Sequence, residues 1–414
     1  MKRLLLIFLG FACCESLVGS TAPLPSASPE SVGMSTERLD RVQIFVGDLI
    51  QRNRIAGAVT AVARRGKLVR WEAQGSANTA SGRAMRKDDV FAFASMTKPV
   101  TAAAIMMLVE EGRIGLADPL EKFLPEFHDM KVAVAAASAP GGYVLATARR
   151  SITIQDLLTH RSGFVGQPAS QTPAGALQRK MSQALPHHPT LAQYVSGLAT
   201  VPLDTQPGTT WEYGASFIVL GRVIEVVSGQ SLPDFLRQQL FEPLGMVDSG
   251  FVVPEPQRSR VATIYQAKAG GGLQAGRSSF GDDTYPSGSG GLFSTAPDYL
   301  RFCQMLLNGG ELDGRRLLSR KSIELVSTAH VAAIPLPFLA GQGYGLGVAV
   351  QQPGGDAGLL GSAGTYGWSG AYNTYFRIDP REQLVILILV QLSPANDLEI
   401  QYGFQNVAMQ AIAD

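Results

Sequence analysis

Apolar and polar positions change period several times along this chain. Leu39, Val42, Phe45, Val46, Leu49 and Ile50 recur at helical spacing behind Ser35, a residue suited to an N-cap, so a helix is predicted over residues 35 to about 53. The period then shortens. Residues 57–75 are β-branched and apolar on either side of Arg65-Gly66, which reads as a β-hairpin. Near the other end, residues 343–352, 371–379 and 383–391 read as strands, the last two joined by a turn over 379–382, and a final helix is predicted from about 396 to 413.

Between 116 and 261 the signals are mostly helical, as in "SITIQDLLTH", "TLAQYVSGLA", "SFIVLGRVIEVVSG" and "LPDFLRQQLFEPLG". Strands at both ends of the chain imply an α/β (α+β) fold. An antiparallel β-sheet flanked by helices is built from residues 30–115 and 262–414, plus an inserted mainly helical domain over 116–261. A cleft between the two would be the natural site. Two stretches rich in small residues, 132–148 and 269–291, read as loops, and neither has the strand–loop–helix spacing of a phosphate cradle.

Composition narrows the function classes. With 414 residues, 45% hydrophobic, 17% charged and a net charge of +1, the chain is enzyme-sized and carries no single-sign field for nucleic acid. Lys2 and Arg3 precede an apolar run from Leu4 to Cys14, followed by small residues around Ser20. This is a signal-peptide layout over residues 1–20, shorter than the ~20 apolar residues that cross a bilayer, and it predicts a secreted or periplasmic protein with no stable membrane insertion after cleavage. Gly10 and Phe11 stand where a lipoprotein site would show leucine, which argues against lipid anchoring. Beyond this leader the one remaining cysteine is Cys303, in "YLRFCQMLL", which reads as a small hydrophobe.

The chemistry-bearing stretch is "ASMTKP" at the head of the apolar run "VTAAAIMMLVEEG". Residues i and i+3 share a helix face, so the Lys98 amine would stand beside the Ser95 hydroxyl at a helix N-terminus, where free N–H groups favour developing negative charge. A serine is a poor nucleophile until a base takes its proton. A lysine that works as a base near neutrality must lie about three pKa units below its reference of about 10.4, roughly 4 kcal/mol, and burial pushes lysines that way. A lone Ser-x-x-Lys also arises readily by chance, so its context decides.

"SMTK" resembles the first motif of the serine β-lactamase and penicillin-binding-protein superfamily. "DLLTHRSGF", "PGTTWEYGAS", "PLGMVDSGF", the stretch from "GGLFSTAPDYL" to "GGELDGRRLL" and "YGWSGAYNTYFRIDP" follow in order and are similar to its class C and family VIII carboxylesterase branches. The resemblance implies a β-lactamase-like (DD-peptidase) fold and an acyl-enzyme on Ser95, with Lys98 and Tyr213 sharing the proton transfer. It places the oxyanion hole at the backbone N–H groups of Ser95 and Ala371, and substrate contacts at Trp368 and Gly370. Two positions depart from the β-lactamase pattern: Ala215 replaces an amide that contacts the acyl group, and Trp368 stands where the third motif carries lysine.

Other chemistries find less support. A Ser-His-Asp hydrolase would show Gly-x-Ser-x-Gly, which is absent; His160 reads as structural, and His187-His188 has no obvious third ligand for a metal. No cofactor is implied. The resemblance leaves a carboxylesterase, a β-lactamase or DD-peptidase, and a non-turnover penicillin-binding protein as readings, with a small-molecule ester as the substrate of the first. Missing the third-motif lysine argues against the second reading. A transacylase shares the acyl-enzyme half-reaction, so sequence does not separate it from an esterase.

Overall fold

The computed structural model describes residues 23–166, 171–268, 271–276, 280–281, 285–334, 339–354, 358–395 and 398–414; the leader read at 1–20 lies outside them. Ser35 caps the first helix as its hydroxyl accepts from the Arg38 N–H at 3.3 Å, and the helix runs Thr36–Gln51, ending before Asn53 turns left-handed at φ 54°. Strands Gly57–Arg64 and Lys67–Asn78 then pair antiparallel through Arg65 and Gly66, both at positive φ, the primed-turn geometry that matches strand twist.

Among the described residues the main sheet has eight strands in the order Gln342–Tyr344, Ala349–Gln351, Tyr366–Ser369, Tyr375–Asp379, Leu384–Leu389, Gly57–Arg64, Lys67–Asn78 and Arg83–Ala84. Every neighbouring pair is antiparallel. Leu384–Leu389 and Gly57–Arg64 pair at the centre and are buried along their whole length. Their side chains alternate between two cores, as the two-residue strand period requires. Ala58, Val62, Leu384, Ile386 and Ile388 meet Leu39, Val42 and Val46 of the first helix and Phe404 and Ala408 of the last. Val59, Ala61, Val385, Leu387 and Leu389 meet the other core, which holds Val100 and Ala104 of the Thr97–Glu110 helix and Leu300 and Cys303 of Ala296–Leu307. The two chain ends meet on the first of these faces: the Ser35 N–H donates to Ala411 O and the Ala413 N–H to Gly33 O, each at 2.9 Å.

Between 116 and 261 stand the helices Ile154–Leu158, Pro173–Ala184, Leu191–Ala199, Ser216–Ser228 and Leu232–Leu236, several capped by a threonine or serine as at Thr153 and Thr190. Five sequence expectations are corrected, the first in 269–291, read as a loop, where Leu273–Ala275 pairs antiparallel with Tyr265–Ala267. The stretch 132–148 is not a loop: Lys131–Ala135 pairs with Tyr143–Thr147 as a hairpin, disguised because alanines interrupt its valines and the connection 136–142 is all Ala, Ser, Pro and Gly. Residues 343–352 form two short strands, because Gly347 at φ 83° and a Gly345 N–H to Val348 O bond fold the chain back between them. In 371–379 only Tyr375–Asp379 is strand, the rest being a tight turn with Asn373 at φ 61°. At the C-terminus a π-helical turn, Glu399–Gly403, precedes the helix Phe404–Met409.

The two-sided core makes a simple contrast testable. Ile386→Ala is expected to lower unfolding stability by ~2–5 kcal/mol, and Ile44→Ala, on the exposed side of the first helix, to stay within about 0.5 kcal/mol, both by urea titration. Equal losses would contradict the assigned faces.

Candidate active site

Ser95 sits in a short 3-10 turn, Ala94–Met96, that runs into the Thr97–Glu110 helix. The turn is held from several sides. Phe93 N–H donates to Leu292 O at 2.9 Å, the Thr97 hydroxyl donates to Ala94 O at 2.7 Å, and the buried Tyr299 hydroxyl donates to Met96 O at 2.8 Å. Ala94 itself is left-handed at φ 46°. A non-glycine residue held there costs about 1–3 kcal/mol and persists only where its surroundings over-determine it. Its neighbours Phe93, Ala94, Met96, Thr97 and Lys98 are all buried, while Ser95 is half-buried.

The Lys98 amine donates to Ser95 Oγ at 3.0 Å and to the carbonyl of Ser289 at 2.8 Å. Tyr213 donates its hydroxyl to the same Ser95 Oγ at 2.7 Å, and Lys98 Nζ lies 4.6 Å from the centre of the Tyr213 ring. Three of the sequence-predicted residues therefore converge on one oxygen. Ser289 was not among them, since it contributes a backbone carbonyl from a stretch read as a plain loop. The turn that carries it is fixed by the Thr101 hydroxyl, which donates to Gly288 O at 2.8 Å.

The strand Tyr366–Ser369 packs beside the serine turn. Gly370 follows it, and a Cβ there would lie 2.4 Å from Phe93 O and 2.2 Å from Thr374 Oγ1, so only glycine lets these two backbones approach. Its N–H donates to Thr374 O at 2.7 Å. Among the described residues neither the Ser95 N–H nor the Ala371 N–H has a protein acceptor. Trp368 is buried, and its indole Nε1–H reaches the Tyr213 hydroxyl oxygen at 3.4 Å. Ala215 is also buried and precedes the Ser216–Ser228 helix. No group of metal-ligating side chains occurs among the described residues; His187 and His188 contact each other at an exposed site.

His160 lies directly behind Tyr213. Its fully buried ring is 4.7 Å from the Tyr213 ring, with Trp211, Phe217 and Tyr344 around it, and neither ring nitrogen has a partner among the described residues. Its carbonyl accepts from the Glu212 N–H at 2.8 Å, which ties it to the segment carrying Tyr213. Burial, and secondarily the nearby Lys98 charge, hold the imidazole pKa well below its usual value of 6.5.

The unfolded chain therefore takes up a proton at His160 below about pH 6.5 that the folded chain refuses, so this stability contribution is complete above that pH and is lost as pH falls below it. Wild-type stability is expected to drop more steeply between about pH 7 and pH 5 than that of His160→Phe, by up to ~1.4 kcal/mol per pH unit. Parallel urea-midpoint profiles for the two proteins would refute the assignment of a neutral buried imidazole.

The beta-lactamase family model matches residues 42–405. Protein Rv1367c of Mycobacterium tuberculosis (strain ATCC 25618 / H37Rv) is 36% identical over 370 residues, covering 86% of this chain and 90% of that protein. Esterase EstB of Burkholderia gladioli is 30% identical over 384 residues, covering 88% and 92%. Among solved structures, that of EstCE1, described as a hydrolase with promiscuous acyltransferase activity, aligns with a TM-score of 0.77 at 25% identity over 91% of this chain and 99% of that one. With the family model spanning residues 42–405 and two relatives matched over most of their length, the chain belongs to the beta-lactamase family, within the serine β-lactamase and penicillin-binding-protein superfamily.

Proposed function

We propose that this serine hydrolase of the β-lactamase fold is a carboxylesterase for short-chain acyl esters, working through an acyl-enzyme on Ser95. The observation that carries the reading is the convergence of Lys98 and Tyr213 on Ser95 Oγ beside an indole rather than a cation. With one member of the Lys98–Tyr213 pair deprotonated, so that its contact with Oγ accepts the serine hydrogen, Ser95 Oγ attacks the ester carbonyl carbon and passes its proton along that contact. The developing oxyanion lies between the Ser95 and Ala371 N–H groups, donors of a kind whose loss typically costs about a hundredfold to a thousandfold in rate. The tetrahedral adduct collapses, the C–O bond to the alcohol breaks, and the departing oxygen takes the proton back. Water then attacks the acyl-enzyme by the same route in reverse.

Trp368 and Gly370 border this site on the third-motif side. The name of EstB and the description of EstCE1 support ester chemistry, and the short-chain preference rests on the family VIII resemblance. The reading includes export, through the leader read at residues 1–20; no helix among the described residues is long and apolar enough to cross a membrane.

Lys98 and Tyr213 touch the same oxygen and each other, so they are expected to act as one unit. Lys98→Ala and Tyr213→Phe should each lower kcat by at least about a hundredfold, with the double variant little worse than either. Additive losses in steady-state kinetics would separate their roles.

β-Lactams and D-alanyl peptides carry a carboxylate that a third-motif lysine helps to bind, a charge-assisted hydrogen bond of roughly 1.5–3 kcal/mol. The Trp368 indole offers no such charge, and its N–H is already turned toward Tyr213. The kcat/KM for p-nitrophenyl butyrate is expected to exceed that for nitrocefin by at least about a hundredfold. Slow cephalosporin turnover fits the reading, because the nucleophile and oxyanion donors do not distinguish an ester from a strained amide. Equal turnover of the two would replace the esterase reading with a β-lactamase.

A further inference from the structure

His160 is a fully buried titratable group that the chemistry above leaves unused. Its backbone is held left-handed at φ 56°, a conformation few residues other than glycine adopt. The segment around it is pinned on several sides. Leu158 O accepts from the Gly347 N–H at 3.2 Å, His160 O from the Glu212 N–H at 2.8 Å and Arg161 O from the Gly208 N–H at 2.7 Å, while the Ser162 and Ser216 hydroxyls share a hydrogen bond of 2.9 Å. A strained residue persists where its surroundings over-determine it in this way.

Packing alone does not account for an imidazole here. Its ring centre lies 4.7 Å from that of Tyr213, 5.1 Å from Phe217, 5.4 Å from Tyr344 and 5.7 Å from Trp211. A phenylalanine would fill the same cage without burying two ring nitrogens that have no partner among the described residues, which is costly. In either tautomer the imidazole N–H lies among aromatic rings. An N–H so placed is drawn to the electron-rich face of a ring, and the attraction grows when that ring carries negative charge. Of the rings around His160, that of Tyr213 reaches the reacting oxygen: its hydroxyl is 2.7 Å from Ser95 Oγ, and the Lys98 amine is 4.6 Å from its centre. The titratable groups facing the imidazole are the Tyr213 and Tyr344 phenols, and the charge that reaches it is that of Lys98. Burial keeps the Tyr344 phenol protonated.

We propose that His160 is a positioning residue for acyl transfer, holding the Tyr213 ring against Lys98 and Ser95 and favouring, through its ring N–H, the ionised phenol that takes the serine proton. The inference rests on the acyl-enzyme reading and deepens it, since it makes Tyr213 the deprotonated member of the pair. The Oγ–H bond of Ser95 breaks and an Oη–H bond forms on Tyr213 along their 2.7 Å contact as Oγ closes on the carbonyl carbon. Lys98 keeps its proton, and the proton on Tyr213 passes to the departing alcohol oxygen.

The test is the pH dependence of kcat/KM for p-nitrophenyl butyrate in the wild type, His160→Phe and His160→Gln, with active sites counted by a fluorophosphonate so that unfolded protein drops out. The acid limb marks where the free enzyme loses the proton that the pair must give up. Phenylalanine keeps the ring and loses the N–H, so the limb should move to higher pH by at least about half a unit, with a loss in rate that shrinks as pH rises. Glutamine keeps an N–H and should bring the limb at least halfway back. A limb that stays put in His160→Phe, with a loss uniform in pH, would overturn the proposal and leave His160 a filler of the core. So would a limb in His160→Gln no lower than that of His160→Phe. Failure of the underlying reading shows separately, as ester hydrolysis by Ser95→Ala or as fluorophosphonate on another serine, and takes the proposal with it.

Discussion

Burying the amine of Lys98 is the constraint on which the rest of the site depends. The residue is 2% exposed, inside a helix whose positions from Thr97 to Leu108 are all buried. A polar group so placed is costly unless it is hydrogen-bonded. The turn that leads into its helix supplies one acceptor, Ser95 Oγ. The other, Ser289 O, comes from 191 residues away, and the Tyr213 ring face completes the enclosure. The loop around Gly288 must therefore sit against the Thr97–Glu110 helix, where a Cβ on Gly288 would lie 2.5 Å from Phe217 O. Satisfying one amine brings together the sheet, the helical middle of the chain and a long connection.

The same closure explains how a left-handed Ala94 is sustained. Leu292, Tyr299 and Thr97 each bond the serine turn, and Gly370 admits the third-motif strand to within backbone contact of Phe93. None of these groups is reactive. They set where the Ser95 N–H and the Ala371 N–H point, and that orientation is a property of the backbone, indifferent to the side chain at 371.

The sequence made local relations visible and hid distant ones. Ser95 and Lys98 are one helical turn apart, so periodicity alone places them together. Tyr213, Trp368 and Ala371 came into view only through resemblance, because nothing near them in the chain marks them. Ser289 escaped because it acts through a carbonyl; His160 was legible as structural, but not its setting, which Trp211, Phe217 and Tyr344 make from other segments. The central strands were legible from continuous apolar runs. The hairpin at 131–147 was not, because alanine- and glycine-rich composition carries little strand signal even where the ladder forms.

The meeting of the chain's two ends also fixes how the molecule could be attached to anything else. Gly33 and Ser35 bond to Ala413 and Ala411 on the sheet face covered by the first and last helices, whereas Lys98 belongs to the core on the other face. A domain joined after the last residue would therefore leave with the full thickness of the sheet between it and the reacting serine. The chain before Gly33 instead runs on to the serine's side, where Ser26 bridges Leu68 and Leu24 packs in the core that holds Met96 and Val100, so anything joined there would stand on the opposite face.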